Sequence, residues 1–434
     1  MSDWFKAEGR NPAGRGNIYQ FCWYNVIMQR GIATFTLDTG TCPKWLFTRM
    51  VKLGREITRV LVAEFGPDDF VRRIADPVWF QSLGTVLAFD WNASGLTTIL
   101  TAALKEAIHH QEKDLGIFIC GGKGKTSRKT PEEICAWGDK LSFPHHCVDN
   151  LVYNSRMSAK VDNSLVQDGY QIYHHSFFFS RNGAWAVVQQ GMNPVNVSAR
   201  RYHWFSENVE DLVCEPHTGI VTSAKRKPSL NLTARNSETT RNLSVEFVSS
   251  GYHSLMKDIE ILRRHSSDLS RMVSFKHKGQ QLTFLQLQNT EFRTHPVICE
   301  DFSQSRYLEK ILYKLCDRQP ENYEKLLAEK GVGPKTVRAL ALVAEVIYGA
   351  KPSYEDPARY SFAHGGKDAT PYPVDRQTYD KTIATLTEAV NRSRISPYEK
   401  DRAIKRITSL ELGSKLLRYD TPRLSPPDSA FETE

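Results

Sequence analysis

The chain has 434 residues, with 57 Lys and Arg against 49 Asp and Glu, and a formal net charge of +8. At roughly 100–200 residues per domain, this length predicts two or three domains. The 40% hydrophobic and 24% charged content excludes a disordered or fibrous chain. No apolar run approaches the ~18–20 residues that cross a bilayer, so we expect no membrane partner. The N-terminal residues, from Met1 to Gly16, are polar, with no basic region followed by an apolar stretch, and predict no signal peptide. The positive charge permits a polyanionic partner without requiring one.

The N-terminal part of the chain predicts helices. Apolar residues recur at helical spacing after Pro43, which suits the first helical position. Further helices are expected over 67–74, 77–88 and 96–109, and the first two begin at a proline. The run 116–120 is short, apolar and followed by glycines, so it predicts a buried strand.

The segment 170–192 gives the clearest sheet pattern in the chain. Two apolar runs, at 177–179 and 184–188, contain the aromatic and β-branched residues that favour strands. The residues between them, Arg181-Asn182-Gly183, have the chemistry of a hairpin turn. We therefore expect a β-hairpin here.

Residues 221–250 lack apolar periodicity and include Lys225-Arg226-Lys227, so they predict a loose basic connector. Helical patterns return after Gly251 and end near Leu417. The predicted fold class is α+β: a large mixed N-terminal α/β domain with a β-hairpin and sheet precedes an all-α C-terminal domain. The predicted units are an N-terminal catalytic domain over 1–220, the connector over 221–250, a helical domain over 251–420 and a flexible tail over 421–434.

Eight cysteines are scattered along the chain without any Cys-x-x-Cys pair. Zinc sites show close ligand pairs and disulfide scaffolds show denser cysteine, so neither class fits. Free thiols in a reducing cytoplasm are the expectation, and a redox or metal role is the alternative.

The segment 326–348 carries the most informative turn. A helix ends at Gly331, which suits the left-handed position, Gly333 keeps the turn tight, and Pro334 begins a second helix. The free amides at that helix start form an anion site, to which Lys335 adds a cation. The segment resembles a helix-hairpin-helix motif, which grips the DNA phosphate backbone without reading bases. The resemblance implies DNA-binding residues Gly331, Gly333, Lys335, Thr336 and Arg338; an ordinary helix–helix turn is the alternative.

A second resemblance extends further along the chain, to Val374-Asp375. Endonuclease-III-type DNA glycosylases follow a helix-hairpin-helix with a glycine- and proline-rich loop and then Val-Asp. Their aspartate is catalytic, and a lysine in the hairpin turn forms a Schiff base. The similarity implies Lys335 and Asp375 as an alternative lyase pair, although 375 − 335 = 40 residues is a longer separation than in those enzymes. An N-cap of the following helix is the other role open to Asp375.

A basic glycine loop follows the strand predicted at 116–120. Its glycines let backbone approach a ligand, and Lys123, Lys125 and Arg128 are candidate DNA-phosphate contacts. The spacing differs from Gly-x-x-x-x-Gly-Lys-Ser/Thr, so we exclude ATP binding by that route. A solvated basic loop is the alternative.

Carboxylates and imidazoles are dense between residues 155 and 217. Carboxylates bind Mg²⁺ or Mn²⁺, and a His or Lys can activate the attacking water in phosphodiester hydrolysis. For each of these residues taken alone, a purely structural role is the alternative. Side chains alternate between the two faces along a strand, which places His174 and His175 on opposite faces. The candidate metal ligands are Asp162, Asp168 and His175. The candidate catalytic residues are Asp162, Asp168, His174, His175, His203 and Lys160.

Together these segments closely resemble a family known as domain of unknown function 763. The resemblance covers nearly the whole chain and rests on 43–47, 120–133, 166–175, 185–193, 201–204 and 331–376. It implies one compact protein with a C-terminal helix-hairpin-helix. The leading hypothesis is a divalent-metal-dependent DNA nuclease, cytoplasmic and nucleoid-associated. A DNA glycosylase with lyase chemistry and a non-enzymatic, structure-selective DNA-binding protein are the alternatives.

Overall fold

The computed structural model describes residues 42–87, 93–195, 197–222, 229–266, 274–277, 280–283, 306–358, 360–361 and 376–416. Within these ranges the chain is a mixture of helices and strands, which agrees with the predicted mixed class. Three predicted features lie outside the described residues: Lys225-Arg226-Lys227, Asp375 and the tail over 421–434.

The described α-helices include those expected over 67–74, 77–88 and 96–109 and after Gly251, whereas α6 and α7 lie where the sequence predicts no helix. Their bounds are α1 (Lys44–Ala75), α2 (Pro77–Val86), α3 (Ala93–Ile108), α4 (Glu112–Leu115), α5 (Thr130–Leu141), α6 (His145–Ser164), α7 (Glu238–Ser249), α8 (Tyr252–Ser266), α9 (Arg306–Arg318), α10 (Tyr323–Ala328), α11 (Pro334–Leu342), α12 (Arg376–Arg392) and α13 (Pro397–Leu416). Helix α1 is interrupted at Gly66, whose φ of +83° is not helical, and restarts at Pro67 as the sequence predicts.

Strands from β1 to β10 complete the described fold. Their bounds are β1 (Ile117–Lys123), β2 (Val166–Gln167), β3 (Gln171–Ser180), β4 (Trp185–Asn193), β5 (Ser198–Phe205), β6 (His217–Thr222), β7 (Leu230–Asn231), β8 (Ser274–His277), β9 (Gln280–Thr283) and β10 (Tyr360–Ser361). The main sheet has the order β1-β3-β4-β5-β6-β10. Its pairs are antiparallel except that of β6 with β10. The hairpin predicted at Arg181–Gly183 joins β3 to β4 and is confirmed.

Helices cover both faces of the main sheet. On one face, here called the α6 face, Phe177, Phe179 and Val187 pack in a core that also includes residues of α6 to α11. On the other, the α3 face, Phe178 and Val188 pack with residues of α1, α2, α3, α12 and α13. Alternation along each strand explains this division, because successive side chains point to opposite faces. The helical layer on the α3 face therefore combines segments from both ends of the described chain, whereas the layer on the α6 face comes from its middle.

The segment expected to be a loose connector differs from that expectation. Residues 229–250 contain β7, a 3₁₀ turn at Arg235–Ser237 and α7. The buried side of α7 includes Thr240 and Ser244, whose hydroxyls donate to the backbone carbonyls of Ala350 and Thr240. Small polar residues thus face the interior in α7, so its buried side does not show apolar residues at helical spacing. The prediction of a connector relied on the lack of that spacing.

Two further expectations concern cysteines and membranes. The described cysteines Cys42, Cys120, Cys135, Cys147, Cys214 and Cys316 are free thiols. Among the helices in the described ranges, none is both long and apolar enough to cross a bilayer.

Candidate functional site

A chain of buried polar side chains runs across the α6 face of the sheet, and we call it the Asp162 network. Ser155 and Asp162 are separated by two turns of α6 and face the sheet together. Ser155 Oγ lies 2.9 Å from His175 Nε2, and His175 Nδ1 lies 3.0 Å from Gln189 Oε1. Gln189 then donates from Nε2 to Asp162 Oδ2 at 2.6 Å. The network therefore links α6, β3 and β4 through side chains alone.

The outer end of the network is a His–Asp pair. Asp162 Oδ1 lies 2.5 Å from His217 Nε2, and Trp204 Nε1 donates to Asp162 Oδ2 at 3.0 Å. Asp162 is fully buried, whereas the His217 side chain retains 7% exposure. Trp204 can only donate, and Gln189 presents its NH₂ group, so Asp162 acts as an acceptor. An ionised Asp162 accepts the Nε2–H of His217 at Oδ1, and the lone pair of that ring is then on Nδ1.

Burial sets the protonation of this network. The pKa of Asp162 is raised by burial, although the bonds from His217 and Trp204 oppose that rise. Burial also lowers the pKa of His175 to about 4, against a smaller effect of the Gln189 bond. His175 is therefore neutral at pH 7, as its paired hydrogen bonds require.

Asp168 belongs to a separate buried ion group around Arg200. Arg200 donates from Nη1 to Asp168 Oδ2 at 2.8 Å and forms a two-point contact with Asp356 at 2.9 and 2.7 Å. Tyr202 donates to Asp168 Oδ2 at 2.7 Å. Burial raises the pKa of Asp168, and the Arg200 charge opposes this. Asp168 is thus held by a cation and a hydroxyl, and its role here is to attach the loop before β3 to β5.

The remaining predicted histidines face the opposite side of the sheet. His174 Nε2 lies 3.2 Å from Thr101 Oγ1 and 3.1 Å from Ser176 Oγ. His203 Nε2 accepts from Arg201 Nε at 2.8 Å. Burial lowers the pKa of His174 to about 3 and that of His203 well below its ordinary value. Both rings are neutral side chains packed behind α2 and α3.

The predicted catalytic set is therefore divided. Asp162 and His175 share one network, Asp168 lies in the ion group, and His174 and His203 lie across the sheet. In the described residues, no three His, Cys, Asp or Glu side chains converge as metal ligands. The three residues expected to hold Mg²⁺ or Mn²⁺ are not brought together, because each already contacts protein donors or acceptors.

The turn between α10 and α11 has the backbone form expected of a helix–turn–helix connection. Gly331 has a φ of +99°, and a Cβ there would approach Ile311 Cδ1 to 2.3 Å, so both backbone and packing require glycine. Gly333 is the N-cap of α11 with a φ of −152°, which other residues adopt, and no atom would lie within 4 Å of its Cβ. The expectation that Gly333 keeps the turn tight is therefore wrong, because neither its backbone angle nor its surroundings require glycine.

Side chains around this turn differ in their accessibility. Lys335 is exposed at the start of α11, while Thr336 is buried. Arg338 is half-buried and donates to Gln167 Oε1 at 2.5 Å. Of the three, Lys335 alone presents an exposed charge, and it forms no ion pair with another described residue.

Lys160 lies on the inner side of the same turn and not in the Asp162 network. Its Nζ donates to the carbonyl of Glu329 at 2.6 Å, and Lys314 donates to the carbonyl of Lys330 at 3.1 Å. Burial lowers the pKa of Lys160 to about 8, although Glu329 opposes the shift. Lys160 thus stabilises the end of α10 and joins α6 to the turn.

The basic loop after β1 forms a 3₁₀ turn over Gly124–Lys129 before α5 begins. Lys123, Lys125 and Arg128 are exposed and form no ion pair with other described residues. The Gly121 amide is already occupied, because it donates to Glu133 Oε2 at 2.8 Å. The loop therefore offers side-chain cations, and that amide is not free to cradle a phosphate.

The candidate residues chosen from the sequence do not include the partners that organise the buried groups: Gln189, Trp204, His217, Arg200 and Asp356. Strand alternation places the first four on the α6 face once β4, β5 and β6 are assigned. Arg200 and Asp356 are 156 residues apart, so no local sequence pattern indicates that they form an ion pair.

Comparison with known proteins gives a family and no relative of known activity. No curated protein and no solved structure matches the chain. Residues 31–374 match the family described as protein of unknown function (DUF763). This match spans most of the 434 residues, and the chain belongs to the DUF763 family.

Proposed function

We propose that this chain is a DNA-processing enzyme that hydrolyses phosphodiester bonds and holds the DNA backbone with the α10–α11 turn. The observation that carries the proposal is the pairing of His217, whose side chain is 7% exposed, with a fully buried carboxylate, Asp162. A base oriented in this way activates water for attack on a phosphorus atom. Hydrolysis requires that DNA be bound near His217, and in this proposal the α10–α11 turn binds the DNA backbone.

The start of α11 supports backbone binding. The first amides of a helix have no partner within the helix, and the helix dipole favours an anion at that end. Lys335 adds an exposed cation at this position. Such contacts bind phosphate oxygens and do not distinguish bases, so we expect DNA binding with little sequence preference.

One helix connects the two parts of the proposal. Lys160 on α6 contacts the carbonyl of Glu329 in the turn, and Asp162, two residues later, holds His217. Residues two apart on a helix point to different sides, so the turn and the network lie on opposite sides of α6. DNA held at the turn must therefore extend around this helix to reach His217.

The chemical role of each residue follows from its hydrogen bonds. His217 Nδ1 takes a proton from the attacking water as its oxygen bonds to phosphorus, and Asp162 stabilises the imidazolium that forms. The P–O bond to the leaving sugar oxygen breaks, and that oxygen takes a proton from solvent. Gln189 and Trp204 hold Asp162 in place through Oδ2. Neither Ser155 nor His175 touches substrate in this scheme, since both are positioning residues at the inner end of the network.

The test uses the full chain with labelled plasmid and oligonucleotide substrates, with and without EDTA. We expect cleavage that His217→Gln abolishes while DNA binding in a gel-shift assay is unchanged. Cleavage that survives His217→Gln would overturn the assigned base. Dependence on Mg²⁺ or Mn²⁺ is a separate prediction, and cleavage that persists unchanged in EDTA would contradict it.

The lyase alternative makes a distinct prediction. Lys335 is exposed on the surface, and Asp375 lies outside the described residues, so no described contact favours this pair. Borohydride trapping on abasic duplex DNA tests it directly. An adduct that forms with the native chain and is lost in Lys335→Ala would support lyase chemistry in place of hydrolysis. Salt-sensitive DNA binding without either activity would support a non-enzymatic DNA-binding protein.

A further inference from the structure

The side of α9 next to the α10–α11 turn carries an exposed tyrosine. Tyr307 lies in the first turn of α9, is 62% exposed, and donates from its hydroxyl to the carbonyl of Gly331 at 3.4 Å. Ile311, one helical turn later, packs so closely against Gly331 that a Cβ on the glycine would overlap it. These contacts place the Tyr307 ring beside the turn that we propose binds the DNA backbone.

The Tyr307 ring differs from the other exposed aromatic rings of the described residues. The others each contact a second ring or lie beneath an arginine: Trp45, Phe65, Tyr313, Tyr348 and Tyr398. Tyr307 makes neither kind of contact with another described residue. Stacking on an aromatic face is favourable, so this ring has a face available to a planar ligand.

Unpaired cations surround the ring. Arg306 precedes Tyr307, and Lys310 follows it by about one helical turn. Both are exposed, and neither forms an ion pair with another described residue. Lys335, at the start of α11, is a third exposed cation of this kind. The available ring therefore lies among positive charges that an anionic ligand can use.

The nearby carboxylates do not cancel these charges. Glu329, in the turn, is neutralised by Lys314 at 3.1 Å and Arg318 at 2.9 Å. Glu309 is half-buried and, being two residues from Tyr307, points to another side of α9. Asp317 lies roughly 15 Å along the helix from the start of α9. The combination of cations and a bare ring fits a nucleic-acid strand, in which phosphates alternate with flat bases.

Stacking on Tyr307 requires a base whose face is free. Inside a duplex both faces of a base are covered by its neighbours, so the ring can receive only a base from an unpaired segment. Gly331, which holds Tyr307, and Gly333, the N-cap of α11, are two residues apart, so at most about 7 Å of backbone separates them. A strand whose phosphate contacts the α11 amides therefore has a base within reach of the ring.

We infer that the DNA bound at the α10–α11 turn contains an unpaired segment, one base of which stacks on Tyr307 while Arg306 and Lys310 contact the flanking phosphates. The inference rests on the proposed function, because the turn supplies the adjoining phosphate contact. It concerns binding alone and does not depend on the base assigned to His217.

Fluorescence anisotropy on the full chain tests the inference with three labelled DNAs. They are a blunt duplex, the same duplex with a single-stranded tail, and the tailed duplex with abasic units in place of the tail nucleotides. We expect the normal tail to increase affinity at least about fivefold over the blunt duplex, as stacking of one base on an aromatic side chain provides. The abasic tail keeps the phosphates and removes the bases, so it should lose most of that gain.

Substitutions at Tyr307 separate the ring from its hydroxyl. Tyr307→Ala should remove the gain from the tail and leave affinity for the blunt duplex unchanged, whereas Tyr307→Phe should keep the gain. Tyr307→Ala combined with the abasic tail should lose no more than either change alone, because both remove the same contact. Tyr398→Ala is the matched control, since Tyr398 is equally exposed but lies on α13. Melting temperatures confirm that the variants fold.

The outcomes distinguish this inference from the proposed function. Equal affinity of the native chain for blunt and tailed DNA would overturn the inference and leave backbone binding at the turn intact. A gain from the tail that survives Tyr307→Ala, or that Tyr398→Ala removes equally, would also overturn it. Failure to bind any of the three DNAs would refute the proposed function and, with it, the inference.

Discussion

His217 Nε2 and Asp162 Oδ1 share a hydrogen bond of 2.5 Å, although 55 residues separate them along the chain. Asp162 receives two further N–H bonds, from Gln189 and Trp204. The carboxyl group is therefore fixed in place, and it holds the His217 ring through Nε2. The same arrangement would govern a base-catalysed reaction at His217.

Asp162→Asn should lower the rate of DNA cleavage at least about 100-fold, the contribution typical of an oriented base. The asparagine NH₂ group would donate to His217 Nε2 and move the ring proton to Nδ1, which abolishes the base. The measurement is the pH profile of cleavage together with DNA affinity. Loss of affinity with an unchanged rate at saturation would contradict the assigned role.

His175 should make the fold less stable in acid. Burial lowers its pKa to about 4, below the value near 6.5 in an unfolded chain, so the unfolded state binds more protons between these values. The free energy of unfolding should fall by about 1.4 kcal/mol per pH unit from this residue as the pH drops through that range. Urea unfolding of His175→Gln should show a correspondingly shallower loss. Identical pH dependence in both proteins would contradict the assignment.

Arg200→Met should destabilise the chain by about 3–5 kcal/mol, because it leaves Asp168 and Asp356 buried without their cation. Equilibrium unfolding followed by circular dichroism measures the change. Arg318→Met is the matched control, since Arg318 is 56% exposed and its pair with Glu329 is worth at most about 1 kcal/mol. Similar losses in the two variants would show that the buried ion group is not the cause.

Gly331→Ala should destabilise the α10–α11 turn by about 1–3 kcal/mol, since it combines a φ of +99° with a contact to Ile311. Gly333→Ser should cost little, because serine suits an N-cap and the space beside this residue is open. Thermal unfolding of both variants compares them. A larger loss for Gly333→Ser would contradict the geometry of the turn.

Lys335→Ala should weaken DNA binding alike for unrelated sequences. If Lys335 contacts one phosphate, the slope of log affinity against log salt should fall by about 0.9. Fluorescence anisotropy at several salt concentrations measures this slope, with Lys113→Ala as the control for lost charge. Selective loss on a single DNA sequence would contradict backbone binding.

Local patterns in the sequence determined most of the elements. Proline starts located α2 and the second half of α1, and the Arg181–Gly183 turn located the hairpin. These features depend on backbone preferences of neighbouring residues, which the sequence displays directly. The pattern failed at α7, where Ser and Thr face the interior and satisfy their hydroxyls on backbone carbonyls.

The sequence also identified a region rich in polar candidate residues. Only the tertiary structure shows that these residues belong to separate hydrogen-bond groups. Asp162 and Asp168 lie six residues apart, yet one holds His217 and the other binds Arg200. Adjacent His174 and His175 occupy opposite faces because strand side chains alternate. Partners such as Asp356 come from distant segments that long-range packing brings to the sheet. Residue types and local spacing are properties of the chain, whereas hydrogen-bond partners depend on contacts that form only when the chain folds.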